Sequence, residues 1–235
     1  MSRNREAQIE IKRAGGFSLL ELMLVLAILS TVIAVATTGI MQIEQRSASD
    51  VNKVGMAQES RQFMDQILRD IRQSGYPSVN MFDPTTLTAA SSTYTICQMN
   101  TNVACGLVSY SPSAIQFEGD IDGSGVSEVY IQVVVPSSGN CPCTVQRGTV
   151  SKASSTTPPY YGTPAYYTEL ENVMNQNIFT AYKYDGSAYN SSTDSLSDIK
   201  NIGVTLYVRS QQPDTNESST IYPTTTMVSE VRINN

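Results

Sequence analysis

The sequence predicts an α+β protein: a long N-terminal α-helix, transmembrane and then amphipathic, followed by a C-terminal antiparallel β-rich globular domain. Three observations predict it. Residues 22–43 form a run of 22 residues without a charge. Apolar residues then recur at helical spacing as far as residue 74, and beyond Pro77 short alternating runs are separated by Ser/Thr/Gly/Pro/Asn clusters.

The uncharged run is long enough to cross a bilayer as a helix. Ahead of it, residues 1–16 carry Arg3, Arg5, Lys12 and Arg13 against Glu6 and Glu10, a basic excess that holds this end in the cytoplasm. Glu21 sits just inside the run, and a carboxylate at membrane depth costs about 2.5–3.5 kcal/mol near the centre, which marks it as functional. Farther on, Val54, Ala57, Met64, Leu68 and Ile71, broadened by Val51, Phe63 and Ile67, fall on one side of a helix. Gly75-Tyr76-Pro77 supplies the stop. A helix over 17–74 has 58 residues, or about 87 Å at 1.5 Å per residue.

Strands are expected at 93–98, 114–118, 128–135, 144–146, 178–184, 202–208 and 227–233. The alternation Ile202, Val204, Leu206, Val208 is the clearest, with Val129, Ile131, Val133, Val135 beside it. Residues 169–177 read as a helical turn or a strand-flanking loop, and 151–164, 187–197 and 211–226 as polar loops.

Composition excludes several functions. There is no histidine, so no Ser-His-Asp or Cys-His nucleophile pair and no His metal ligand exist, and an enzyme is not expected. Removing the four basic and two acidic residues of 1–16 leaves 11 basic and 19 acidic, a net charge of −8. Such a chain is poorly suited to direct nucleic-acid binding, which needs clustered Lys and Arg. Cys97, Cys105, Cys141 and Cys143 all follow the membrane segment, on the side where disulfides persist. A Cys97–Cys105 bond is favoured, while Cys141-Pro-Cys143 is awkward as its own pair, which leaves links between the two sites open. Zinc held by four thiolates is the sharper alternative, but the one-residue spacing departs from structural zinc knuckles. In the turn after strand 114–118, Asp120 and Asp122 with their glycines read first as hairpin-turn chemistry; the alternative is half of a calcium loop, with Asp120, Asp122 and Ser124 as ligands and Glu128 beyond. No cofactor is expected beyond this candidate calcium.

The junction Gly16-Phe17-Ser-Leu-Leu-Glu21-Leu22 resembles the processing site of type IV prepilins and of the pseudopilins of type II secretion. The resemblance covers about the first 45 residues. It implies cleavage between Gly16 and Phe17 by a prepilin peptidase, N-methylation of Phe17, and pairing of Glu21 with the Phe17 amine of a neighbouring subunit. The implied layout is a pilin-like fold: leader 1–16, transmembrane and filament-core helix 17–43, amphipathic helix 44–75 and a periplasmic β-rich domain 76–235. Major pilins carry Pro at the position of Thr38, so its absence tilts the resemblance toward a minor pilin or pseudopilin. The run Ile115 to Tyr130 and the segments 179–186 and 199–208 look like those of PilW-type minor pilins and of J-type pseudopilins. The implied partners are other major and minor pilins through helix 17–74, the peptidase and an inner-membrane assembly platform. The implied location is a single-pass inner-membrane protein with its C-terminal domain in the periplasm, extracellular once assembled. The implied role is a minor pilin that initiates or caps a pilus; the alternatives are a J-type secretion pseudopilin or a tip adhesin.

Overall fold

A computed structural model describes residues 18–214 and 221–233. The chain divides into two units, 1–47 and 48–235, each taken on its own terms. One helix, α1 (Leu19–Arg72), has 54 residues. It runs unbroken through Thr38 and Gly39, where a proline would have kinked it.

In the first unit the apolar side chains of α1 surround the helix, and its large hydrophobic residues from Leu19 to Ile43 are each at least half exposed. The hydroxyls in this stretch turn inward. Ser30 donates to the Ala27 carbonyl, Thr31 to Ile28, Thr37 to Ile33 and Ala34, and Thr38 to Val35. Polar side chains satisfied by their own backbone leave a surface that lipid accepts. Among the described residues, this is the helix long and apolar enough to cross a membrane.

In the second unit the helix becomes amphipathic. Ser60, Phe63, Met64, Ile67, Asp70 and Ile71 are buried at steps of three and four. Val51 and Val54, expected on the same stripe, remain 66% and 56% exposed. The buried stripe therefore begins later than its apolar pattern does. Gly75 ends the helix with φ +77°, and its N–H donates to the Glu118 carbonyl at 2.9 Å.

Among the described residues eight strands follow: β1 (Leu107–Ser111), β2 (Ala114–Gly119), β3 (Ser127–Val134), β4 (Cys143–Ser151), β5 (Ala165–Val173), β6 (Phe179–Lys183), β7 (Ile199–Arg209) and β8 (Thr224–Arg232). All pairings are antiparallel. Strands β1 to β5 form a meander, and β7 is flanked by β8 on one edge and by β6 and the end of β5 on the other. The β5–β7 junction is a single registered pair, Val173 with Val208. Asn175 staples it by donating to the Thr205 carbonyl and accepting from the Tyr207 N–H. The turn between β1 and β2 meets the start of β6, where the Pro112 carbonyl accepts from the Ile178 and Phe179 N–H groups.

Residues 93–98 do not form a strand; they enter a 3-10 turn, Cys97–Met99, whose Asn100 side chain bonds the carbonyls of Thr88 and Ile96. Strand β5 occupies Ala165–Val173 and takes in the first part of 169–177, which reads as a helical turn or a strand-flanking loop, because its polar outer residues hide the alternation. Strand β1 was not foreseen, since Ser and Tyr interrupt its apolar positions.

Phe63, Met64, Ile67 and Ile71 of α1 share one core with Phe117, Val129, Ile131, Val145, Leu206 and their neighbours. Each such burial stabilises by about 1.5–3 kcal/mol. Gly119 is required where the sheet meets the helix end, because a Cβ there would lie 2.5 Å from the Gln73 carbonyl oxygen. On chemical denaturation of the full chain, Ile67→Ala is expected to cost about 2–5 kcal/mol, whereas Val54→Ala should stay within about 0.5 kcal/mol.

Candidate functional site

Two regions carry the chemistry: the N-terminal part of α1, and a polar layer on the sheet face turned away from α1.

Gly16 and Phe17 lie outside the described residues. Glu21 stands in the first turn of α1, whose hydrogen bonding begins with the Leu22 N–H to the Ser18 carbonyl. A carboxylate there faces the positive end of the helix macrodipole and its unpaired N–H groups, which favour a negative charge. Past it, the α1 surface is apolar all round and no side chain between residues 18 and 47 is buried. Chemically, this region is a membrane-compatible rod with one acid near its end.

In β2 and β3 the residues Ile115, Phe117, Val129 and Ile131 point to the core. Gln116, Glu118, Glu128 and Tyr130 therefore leave the other face. Glu118 lies directly opposite Glu128 in register, and both are fully buried. Lys152, just after β4, is buried with them. Its ammonium donates to Glu118 Oε2 at 2.7 Å, to the Cys97 carbonyl at 2.8 Å and to the Val103 carbonyl at 2.9 Å. Three donors thus meet three acceptors. Glu118 Oε2 also accepts from the Cys105 N–H. Glu128 Oε2 accepts from the Gly162 N–H and from the Tyr130 hydroxyl, which in turn accepts from Gln116.

Burial pushes the Glu118 carboxyl above its ordinary value, opposed by Lys152 and the Cys105 N–H. Burial also raises Glu128, against the hydrogen bonds from Tyr130 and Gly162. The Tyr130 phenol is pushed up by burial and by Glu128. On the core side, Asp70 of α1 is raised by burial and held by a two-pronged contact from Arg147 of β4.

Cys97 and Cys105 are disulfide-bonded, the pairing favoured from sequence. The loop they close supplies the Cys97 and Val103 carbonyls and the Cys105 N–H to the buried pair. Cys141 and Cys143 are bonded to each other, contrary to the expectation. Their Cα atoms approach to 4.4 Å, at the near edge of the span a disulfide bridges. All four sulfurs are consumed, which removes the zinc alternative.

In the acidic turn the side-chain oxygens meet donors of the turn itself. Asp120 Oδ1 accepts from the Gly123 and Gly125 N–H groups, and Asp122 Oδ1 from the Ser124 N–H and hydroxyl. Glu128 is committed on β3 to Tyr130 and Gly162. Among the described residues no group of three or more Asp, Glu, Cys or His is placed to hold a metal ion. Asp120 and Asp122 do turn chemistry, with Gly123 and Gly125 at φ +79° and +117°.

Residues 11–37 match the family model described as the prokaryotic N-terminal methylation motif. The chain carries a prepilin-type methylation motif. Together with the long apolar helix it supports the type IV pilin family, fits anchoring by a single membrane pass, and suggests a structural subunit rather than an enzyme. No curated protein and no solved structure matches the chain.

Sequence reasoning missed Lys152 and Glu118. The signal for Glu118 was available: a hairpin whose turn is centred on residue 123 places 118 opposite 128. Nothing in the sequence marks Lys152 as buried, because its acceptors are the Glu118 carboxylate and two backbone carbonyls, all far from it along the chain. In chemical denaturation, Lys152→Met should destabilise the chain by about 3–5 kcal/mol by stranding a buried carboxylate. Adding Glu118→Gln should recover much of that loss, since the pair is coupled.

Proposed function

We propose that the chain is a minor type IV pilin of the PilW type, an assembly subunit that initiates or caps a filament. In this reading residues 1–16 are a cytoplasmic leader removed after Gly16, and Phe17 is then N-methylated. Residues 17–43 form the membrane anchor and later the filament-core helix, 44–75 the amphipathic stalk, and 76–235 the periplasmic domain. The observation that carries it is α1 itself. Its N-terminal part bears an apolar, exposed surface on all sides from Leu19 to Ile43, most of it within the stretch that matches the methylation motif.

The unbroken passage through Thr38 and Gly39 supports a minor rather than a major subunit, since it lacks the proline-softened segment that resemblance assigns to major pilins. Glu21 supplies the register. Taken into an apolar helix bundle, its carboxylate is costly alone and favourable beside the cationic Phe17 amine of a neighbour. An offset of the stack by one position would leave both charges unpaired.

The test is a Glu21→Ala chain produced in its host. Processed protein should accumulate in the membrane but be depleted at least tenfold from the sheared filament fraction. Incorporation at the wild-type level would contradict the assigned role of Glu21.

A further inference from the structure

The polar layer contains one cation and two fully buried carboxyl groups. Glu118 and Glu128 are a directly opposed pair on β2 and β3, so their Cβ atoms stand about 4.5–5.5 Å apart on the same face. Like charges at such positions repel. Each carboxyl has one oxygen that is well used and one that is not. Glu118 Oε2 accepts from Lys152 and the Cys105 N–H, and Glu128 Oε2 from Gly162 and Tyr130. Among the described residues, Oε1 of Glu118 and Oε1 of Glu128 are both buried without a hydrogen-bond partner. Buried oxygens of this kind are costly to leave unsatisfied.

A single proton resolves both defects. We propose that Glu118 and Glu128 hold one proton between them at neutral pH, carried by Glu128 and donated toward Glu118, so that this layer is a proton-dependent latch. Lys152 neutralises the Glu118 charge, and the protonated Glu128 adds none. Loss of the proton leaves two buried anions facing one ammonium.

The latch fastens a roof. Lys152 and Glu118 bind the disulfide loop through Cys97, Val103 and Cys105, while Glu128 binds the β4–β5 loop through Gly162. The titratable groups that face the pair are Tyr130 on β3, Lys152 after β4 and Tyr161 in the β4–β5 loop, with Tyr166 of β5 against Tyr130. Burial raises the Tyr130 and Tyr161 phenols, which keeps them neutral beside the pair.

The sign follows from linkage. A carboxyl raised on folding binds a proton more tightly in the native chain than in the unfolded one. Its stabilisation is complete below the unfolded value of about 4.3 and is lost as pH rises through the folded value. The slope in that window approaches a tenfold fall in the folding equilibrium constant per pH unit. Asp83, Asp122, Asp185 and Asp194 are lowered, so they act below this window. Asp70 is raised and acts in the same direction as Glu128, so the difference between the wild-type chain and a Glu128 variant is the decisive quantity.

The experiment is denaturant unfolding of the full chain in detergent at pH 5 to 9, wild-type against Glu128→Gln. The amide mimics the protonated acid, accepting through its oxygen and donating through its nitrogen. The wild-type folding constant should fall with pH, and that of Glu128→Gln should fall by at least tenfold less, making the variant the more stable at pH 9. Parallel profiles would overturn the proposal. Infrared spectra of the chain labelled with carboxyl-¹³C glutamate, in a Glu21→Gln background, give a reading that needs no folded Glu128 variant. One protonated glutamic acid at pH 7 that ionises on raising the pH is expected; ionised carboxylates alone at pH 7 would overturn it.

Discussion

The constraint on which the rest of the structure depends is that a single helix serves two solvents. Between Leu19 and Ile43 its surface is apolar on every side and its hydroxyls bond back to carbonyls of their own helix. From Ser60 to Ile71 the same helix presents one buried stripe to a sheet. The first pattern suits lipid or other helices, where the backbone must satisfy itself. The second suits a water-exposed domain with a core on one side. A chain obeying only one of them would be either an ordinary anchor or an ordinary α+β domain. Obeying both gives one helix an apolar end that fits a membrane and a second end built into a domain core.

The sheet answers the second requirement with two unlike faces. Toward α1 it offers Phe117, Val129, Ile131 and Val145, closed by the Asp70–Arg147 ion pair and by Gly119 at the helix end. Away from α1 it carries a polar layer roofed by the disulfide loop and the β4–β5 loop. Long irregular connections need anchoring, since their own residues bury little apolar surface. Here the anchor is a lysine whose three donors are all used, two of them on backbone carbonyls of the disulfide loop. Disulfide, ion pair and sheet thereby depend on one another. The Cys141–Cys143 pair, by contrast, closes only its own local turn before β4. At the other end, Lys53 and Ser49 of α1 bond Asp214, which ties the segment after β7 to the helix.

Much of this was legible in the sequence, and the parts that were not share a cause. The helix and its stop at Gly75 follow from local spacing and turn chemistry. Strands β2, β3 and β7 follow from apolar alternation. Strand β5 was hidden because Tyr166, Tyr167, Glu169 and Glu171 read as a polar segment, although Leu170 and Val173 face the core. The 93–98 segment reads as a strand by propensity, but the Cys97–Cys105 closure and the Asn100 side chain bend it into a turn. The cysteine-proline-cysteine bond was discounted on chain geometry. Lys152 was invisible because burial of a lone lysine is set by carbonyls far away in sequence.

The proposed assembly role depends on the junction that opens α1 and on what becomes of it in the cell. Intact-mass analysis of the membrane-extracted protein from its host tests this most directly. The predicted mass is that of the chain without residues 1–16, with one added methyl group and two disulfides. A chain that still begins at Met1, or one cut anywhere after Ile43, would contradict the account.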